Sequence, residues 1–457
     1  MKSQTLTRFV VALAVSGFGL ALYSAGGGDA PAPLSPADMY RPTVVPDRII
    51  LSWTADPATT QAVTWRTATT VKEARAEIAL AEAGPAFIKE AKTFAASSQS
   101  LTTDLNEASF HTVNFEKLKP STKYAYRVGD GTAWSEWFHF TTASTKPEPF
   151  SFIYFGDAQN DIRSLWSRVI REAYSDAPKA RFMIHAGDLI NSAEKDGEWG
   201  EWFGAGGWLN AMVPSVAIPG NHEQAKDKDG KRRLSHHWRP QFANPENGPA
   251  GLEETCFTLV YQDLRIIGLD SNRDIELQTP WLDKVLAENK SPWVICTFHH
   301  PIFSTAKDRD NAALRAAWKP VLDKYKVDLV LQGHDHSYGR TGLTTPLRLP
   351  ETVANVPTGV NQSDEATGTV YVVSVSGPKM YNINRKPFMN RVAEDTQLYQ
   401  IISIDGSSLR YEARTAVGEV YDAFTLKKTP GQVNQMTEQI PMTPERLRAT
   451  HNQSHTH

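Results

Sequence analysis

Cysteine is nearly absent from this sequence. Two residues of this type in 457, Cys256 and Cys296, allow at most one disulfide, so no framework of bridges holds the fold together. An excess of charge of one sign is missing as well. With 48 Lys and Arg against 51 Asp and Glu, the formal net charge is −3, which leaves no electrostatic footprint for gripping a nucleic-acid backbone or an anionic bilayer. The N-terminal apolar run, Phe9 to Tyr23, falls short of the roughly 20 residues that cross a bilayer. What remains is the composition of an ordinary folded protein, 40% hydrophobic and 22% charged. At roughly 100 to 200 residues per domain, the length predicts two or three domains. Histidine is unevenly spread: of 13, eight (His185, His222, His236, His237, His299, His300, His334 and His336) fall in one stretch.

The N-terminus has the three regions of a secretory signal peptide over residues 1–30. Lys2 and Arg8 precede the apolar run, and the small residues Ser24 to Ala30 follow it. No cysteine follows that run to carry a lipid, so the expectation is a secreted or periplasmic protein without a stable membrane anchor. That location permits a Cys256–Cys296 bridge, although both residues sit in apolar, strand-like contexts that suit buried free thiols equally well. A Pro/Ala-rich linker spans 31–46. From 47 to 143, short β-type runs (Arg48–Trp53, Gln61–Thr67, Ala76–Leu80, His111–Phe115, Lys123–Val128, Trp137–Thr142) alternate with turn residues, which predicts a β-sandwich.

Beyond Ala143–Pro149 the rhythm changes to strand, loop, helix, defining an α/β domain over 150–426. Strand-like runs occur at Phe150–Phe155, Arg181–Ala186, Ser215–Ile218, Trp293–Phe298 and Val327–Leu331, with helical stretches at Ile162–Tyr174, Pro280–Asn289 and Ala312–Tyr325. In such domains ligands gather at the carboxyl ends of the strands. Those ends carry Gly156-Asp157, Gly187-Asp188, Gly220-Asn221-His222-Glu223, His299-His300-Pro301 and Gly333-His334-Asp335-His336. Carboxylate, carboxamide and imidazole donors therefore converge from five loops, a mixed O/N set suited to borderline divalent metals and to iron. Enough donors are present for two metals sharing an Asp, the arrangement that activates a water and clamps both oxygens of an in-line phosphoryl displacement.

This ordered set resembles the calcineurin-like metallophosphoesterases. The preceding β-sandwich and the phrase Lys324 to Tyr338, which ends in Gly333-His334-Asp335-His336-Ser337-Tyr338, look most like the purple acid phosphatases. The resemblance implies a four-layer α/β/β/α metallophosphoesterase sandwich preceded by an all-β, fibronectin-III-like sandwich. It implies two divalent or trivalent metal ions drawn from Fe, Zn or Mn. Asp157 and His336 would hold the first, Asp188 would bridge, and Asn221, His299 and His334 would hold the second. His222 would contact the phosphate or aid the leaving group, with Glu223 orienting it. The activity implied is hydrolysis of small phosphate esters by a metal-bound hydroxide. An acid-phosphatase-like monoesterase is the first expectation and a phosphodiesterase or nucleotide-cleaving enzyme the second. A third reading, a non-catalytic exported metal-binding interaction protein, is opposed by retention of the whole ligand set together with His222.

The chain departs from the family pattern at two positions. Purple acid phosphatases place a Tyr three residues after the bridging Asp, where this chain has Asn191; many relatives place a His two residues after the first Asp, where it has Gln159. An amide oxygen from Asn191 or Gln159, or a water, would substitute, giving a colourless enzyme with a weaker or non-ferric first site. His300, Lys307 and Arg309 are candidate substrate contacts. His236, His237 and the mixed-sign run Lys226–Arg233 read as surface or packing elements, and His185 as a packed histidine. Trp199, Trp202 and Trp208 read as a packing surface, and residues 427–457 as a polar tail.

Overall fold

The computed structural model describes residues 33–343, 368–429 and 432–448. The signal-peptide reading of residues 1–30 lies outside them. Among the described residues, no helix is long and apolar enough to cross a membrane.

The first unit is a sandwich of two four-stranded antiparallel sheets. One orders Asp47–Ser52, Gln61–Thr67, Glu107–Phe115 and Ser97–Thr102; the other orders Lys92–Ala95, Arg75–Leu80, Lys123–Gly129 and Phe138–Thr141. Val63, Trp65, Phe115, Tyr126 and Phe140 fill the space between them. Two of these strands, Lys92–Ala95 and Ser97–Thr102, were not expected, because their residues are almost all exposed and polar and show no buried alternation.

The second unit has four layers. One seven-stranded sheet runs Ser215–Ala217, Met183–His185, Phe150–Phe155, Leu398–Asp405, Ser408–Thr415, Val420–Lys427 and Gln435–Glu438. The other runs Phe257–Tyr261, Leu264–Gly268, Trp293–Thr297, Leu329–Gln332, Val370–Val373, Tyr338–Thr341 and Met389–Ala393. The continuous apolar run Phe150–Phe155 is explained by this layering. Phe150, Phe152 and Tyr154 enter the core between the sheets, while Ile153 and Phe155 enter the core beneath the helices Ser167–Asp176 and Asp196–Gly206. A strand buried on both faces must be apolar at every position rather than at alternate ones. Each such fully buried side chain contributes about 1.5–3 kcal/mol. Helices Ile275–Ala287 and Ala312–Lys324 cover the second sheet through Leu282, Leu286, Trp318 and Leu322.

Several expectations are corrected. The helix expected over Pro280–Asn289 begins at Ile275, its first turn fixed by the buried Gln278, which donates to the carbonyls of Asp270 and Arg273. Within the expected tail, Gln435–Glu438 adds an edge strand to the first sheet. The Lys226–Arg233 run folds back as a hairpin pairing Gln224–Lys226 with Arg232–Leu234. Trp208 is half exposed and meets Tyr174 edge-on. The disulfide that export would permit is not formed: Cys256 and Cys296 are both buried and free.

The two units are joined by a buried ion network. Arg48 grips Asp196 through both terminal nitrogens (2.7 and 2.9 Å), Arg66 Nη1 lies 3.2 Å from the same carboxylate, and His237 Nε2 lies 3.3 Å from it. His237 is thus a buried ion-pair partner, whereas its neighbour His236 stays exposed. Thr64 Oγ1 and Tyr126 Oη donate to the carbonyls of Gln241 and Ala211, both at 2.6 Å.

Candidate metal centre

Asp157 follows the strand Phe150–Phe155, Asp188 follows Met183–His185, Asn221 follows Ser215–Ala217, His299 follows Trp293–Thr297, and His334 and His336 follow Leu329–Gln332. Three of these residues sit at positive φ: Asp188 (+52°), His334 (+74°) and His336 (+38°). Such backbone costs about 1–3 kcal/mol per residue and persists where surroundings over-determine it. Here the surroundings are hydrogen bonds. Glu223 accepts from the amides of Asp188 (2.9 Å), Leu189 (2.8 Å), Ile190 (3.4 Å) and Gly220 (2.6 Å). The Asp188 carbonyl accepts from the Ala158 and Gln159 amides, and the His334 amide donates to Asp157 Oδ1 at 2.6 Å. The glycines permit close approach: a Cβ on Gly220 would overlap Asp188 Oδ1, and one on Gly333 would overlap Asp157 Oδ1.

The donor atoms meet in two groups. His299 Nδ1 donates to the Ala186 carbonyl (3.0 Å), leaving Nε2 3.0 Å from Asn221 Oδ1, 3.1 Å from Asp188 Oδ2 and 3.1 Å from His334 Nδ1. In the other group, His336 Nδ1 donates to the Lys379 carbonyl (3.0 Å), and its Nε2 lies 3.1 Å from Asp157 Oδ2. Gln159 Nε2 stands 2.8 Å from His336 Nε2 and 3.0 Å from Asp188 Oδ2. Asp188 Oδ2 therefore faces both groups. Asp157, Asp188 and His336 form one cluster able to hold an ion, and His299, His300 and His334 another.

Charge in the pocket favours a cation. Burial opposes a proton on His299, yet the Asp188 and Asp157 carboxylates push its pKa up to about 10. Burial, then the neighbouring His299 and His300, hold His334 well below the usual imidazole range. Burial opposes the charge on Asp157 too, but His299, His336 and the His334 amide keep its carboxyl below the ordinary range. Burial, then the Asp188 charge, pushes the Glu223 carboxyl up, partly offset by its amide donors. Asp157 Oδ2 and Gln159 Oε1 are buried without a hydrogen-bond partner. Lone pairs converging on a buried space lined by carboxylates fit a metal ion.

The remaining candidates separate. His222 donates from Nδ1 to the Asn191 carbonyl (2.5 Å) and from its amide to Asp188 Oδ1 (2.8 Å). The Asn191 side chain belongs to neither cluster: Nδ2 donates to Ser192 Oγ and Oδ1 accepts from Asn160. Asn191 instead touches the site through its main chain, its carbonyl accepting from His222. His300 rests 4.3 Å from the His334 ring, with Nδ1 2.8 Å from Ser271 Oγ; burial, then His299, lowers its pKa to about 3. Arg309 donates to the His334 carbonyl and stacks 4.6 Å over Tyr381, whereas Lys307 is exposed. His185 packs between Phe155 and Trp202, on the helix side of the sheet. Tyr381, whose ring lies 4.5 Å from His336, was not anticipated. It belongs to the loop after Val370–Val373, and the rule that parallel-strand loops converge would have pointed there.

Comparison with known proteins agrees with this geometry. A model described as the purple acid phosphatase N-terminal domain matches residues 46–142, and one described as calcineurin-like phosphoesterase matches residues 150–338. Residues 150–338 form a calcineurin-like phosphoesterase domain. An uncharacterized protein of Mycobacterium tuberculosis is 26% identical over 372 residues, covering 72% of this chain and 68% of the relative. A phosphoenolpyruvate phosphatase of Allium cepa is 27% identical, covering 56% of this chain and 54% of that protein. The structure of a purple acid phosphatase from yellow lupin (Lupinus luteus) superposes with a TM-score of 0.70 at 18% identity, covering 84% and 75% of the two chains. This phosphoesterase is thus a metal-dependent phosphoester hydrolase by family, built as a four-layer domain behind a β-sandwich.

Proposed function

We propose that the chain is an exported binuclear phosphomonoesterase. The observation that carries this reading is the meeting of six donor residues in two groups with Asp188 Oδ2 between them. Asp157, His336 and Asp188 would hold one ion; Asn221, His299, His334 and the same Asp188 would hold the other. When bound, the pair supplies an activated water and neutralises charge on the phosphoryl oxygens. The chain's own residues do the rest. His222 has its Nδ1 proton committed to Asn191, so Nε2 is the nitrogen left for a phosphoryl or leaving-group oxygen. Glu223 fixes the Asp188–Ile190 turn and Gly220 together, which sets the spacing between the bridging carboxylate and His222. We infer that Arg309, whose guanidinium donates to the His334 carbonyl at the edge of the centre, contacts the leaving group of the ester.

A small monoester is favoured by the phosphoenolpyruvate phosphatase among the relatives. Export rests on the residue pattern of 1–30. The test compares 4-nitrophenyl phosphate with bis(4-nitrophenyl) phosphate after reconstitution with Fe, Zn or Mn. Faster monoester hydrolysis, abolished by a chelator, is expected. Preference for the diester would overturn the substrate class, and two bound ions without hydrolysis of either would overturn the activity.

A further inference from the structure

Gln159 is wholly buried, and its carboxamide nitrogen lies within hydrogen-bond distance of two atoms that accept when the His336 ring is neutral. Asp188 Oδ2 is one, at 3.0 Å from Nε2. His336 Nε2 is the other, at 2.8 Å: because Nδ1 of that ring points at the Lys379 carbonyl, Nδ1 carries the proton and Nε2 presents a lone pair. Without an ion, the group facing these acceptors must be the donor NH2. It stands where a cation would, while Gln159 Oε1 and Asp157 Oδ2 are left buried and unpartnered. Asn191, the other amide near the site, is already engaged by Asn160 and Ser192.

We propose that Gln159 is itself a ligand of the first metal, through Oε1, and that its carboxamide turns over when the ion enters. This inference rests on the binuclear reading above. A cation among Asp157 Oδ2, Asp188 Oδ2 and His336 Nε2 repels the amide hydrogens. A half-turn about the Cγ–Cδ bond exchanges nitrogen for oxygen without moving the backbone, whose Gln159 amide stays on the Asp188 carbonyl. The metal-free pocket is thereby kept in register by a hydrogen-bonded placeholder, and the filled pocket gains a neutral oxygen donor. With two carboxylates and no phenolate, the first site carries less negative charge than one completed by an anionic ligand, so it selects divalent ions.

The test titrates the metal-free full-length protein with Mn(II), following bound and free ion by electron paramagnetic resonance. Wild type takes up two ions. Gln159→Ala is expected to weaken one of them by about tenfold or more while leaving the other unchanged. Gln159→Glu, which presents oxygen at both terminal positions, is expected to bind that ion at least as tightly as wild type, and it decides the matter if the alanine variant folds poorly. Two ions bound by Gln159→Ala with unaltered affinities, or weaker binding by Gln159→Glu, would overturn this assignment alone. Wild-type protein that binds no Mn(II) would overturn it together with the binuclear reading.

Discussion

Replacing Asp196 by alanine should loosen the junction between the β-sandwich and the phosphoesterase domain more than any other single charge removal there. The carboxylate is completely buried and serves three cations: Arg48 in bidentate fashion, Arg66 at 3.2 Å and His237 at 3.3 Å. Arg66 keeps Asp47, at 2.6 Å, but Arg48 would retain only the Asp196 carbonyl and Gln241 Oε1 at 3.3 Å. Removing one partner of a buried pair costs about 3–5 kcal/mol, because the other charge stays buried without compensation. Asp47→Ala is the control: its carboxylate is partly exposed, and its loss should cost about 1 kcal/mol or less. The assay is urea unfolding followed by tryptophan fluorescence and far-UV circular dichroism. The pH dependence adds a signature. Although burial opposes their charge, His237 and Arg48 hold Asp196 below its ordinary range, and His237 and Arg233 bring Glu194 down to about 2. Stability from these carboxylates is present above their unfolded values of about 4 and fades as pH falls below them. His237 has its pKa raised by the same carboxylates against the effect of burial, so its contribution is full below about pH 6.5 and is lost as pH rises through the raised value. Asp196→Ala should flatten both limbs. A loss no larger than that of Asp47→Ala would refute the reasoning.

Three further outcomes are expected. His222→Asn should lower kcat about a hundredfold or more while metal content, read by elemental analysis, stays at the wild-type level. Glu223→Gln puts an NH2 group against backbone N–H donors, and should cost about 2–3 kcal/mol in a denaturant titration and weaken metal binding about 10- to 100-fold. Stripping metal with a chelator should lower the melting temperature; adding an ion back at about 100 times its Kd should restore about 2.7 kcal/mol per site, read as a calorimetric shift.

Much of the centre was legible because its chemistry is local. Asp157, Asp188, Asn221, His299, His334 and His336 each stand within five residues of a strand end, and the strands declare themselves by apolar runs such as Phe150–Phe155. The β-sandwich was legible where a strand buries its side chains, as at Gln61–Thr67, where every residue is buried, and not at Lys92–Thr102, where pairing rather than burial defines the strands. Long-range side-chain partnerships left no pattern in the sequence. Gln278 anchoring the helix start, Asn191 drawn to Asn160, and Tyr381 laid on His336 all depend on loops whose paths are set by packing elsewhere.

The origin of the six donors has a consequence for assembly. Asp157, Asp188 and Asn221 hang from one seven-stranded sheet, and His299, His334 and His336 from the other. In the proposed assignment neither sheet alone supplies the full donor set of either ion, because Asp188 from the first sheet is shared with histidines from the second. Each ion would therefore act as a rivet across the seam, and its binding energy would be spent on clamping the two halves against each other. A chain in which the sheets have formed but not yet docked would hold neither ion firmly, so metal capture would mark a late step of folding rather than an early one.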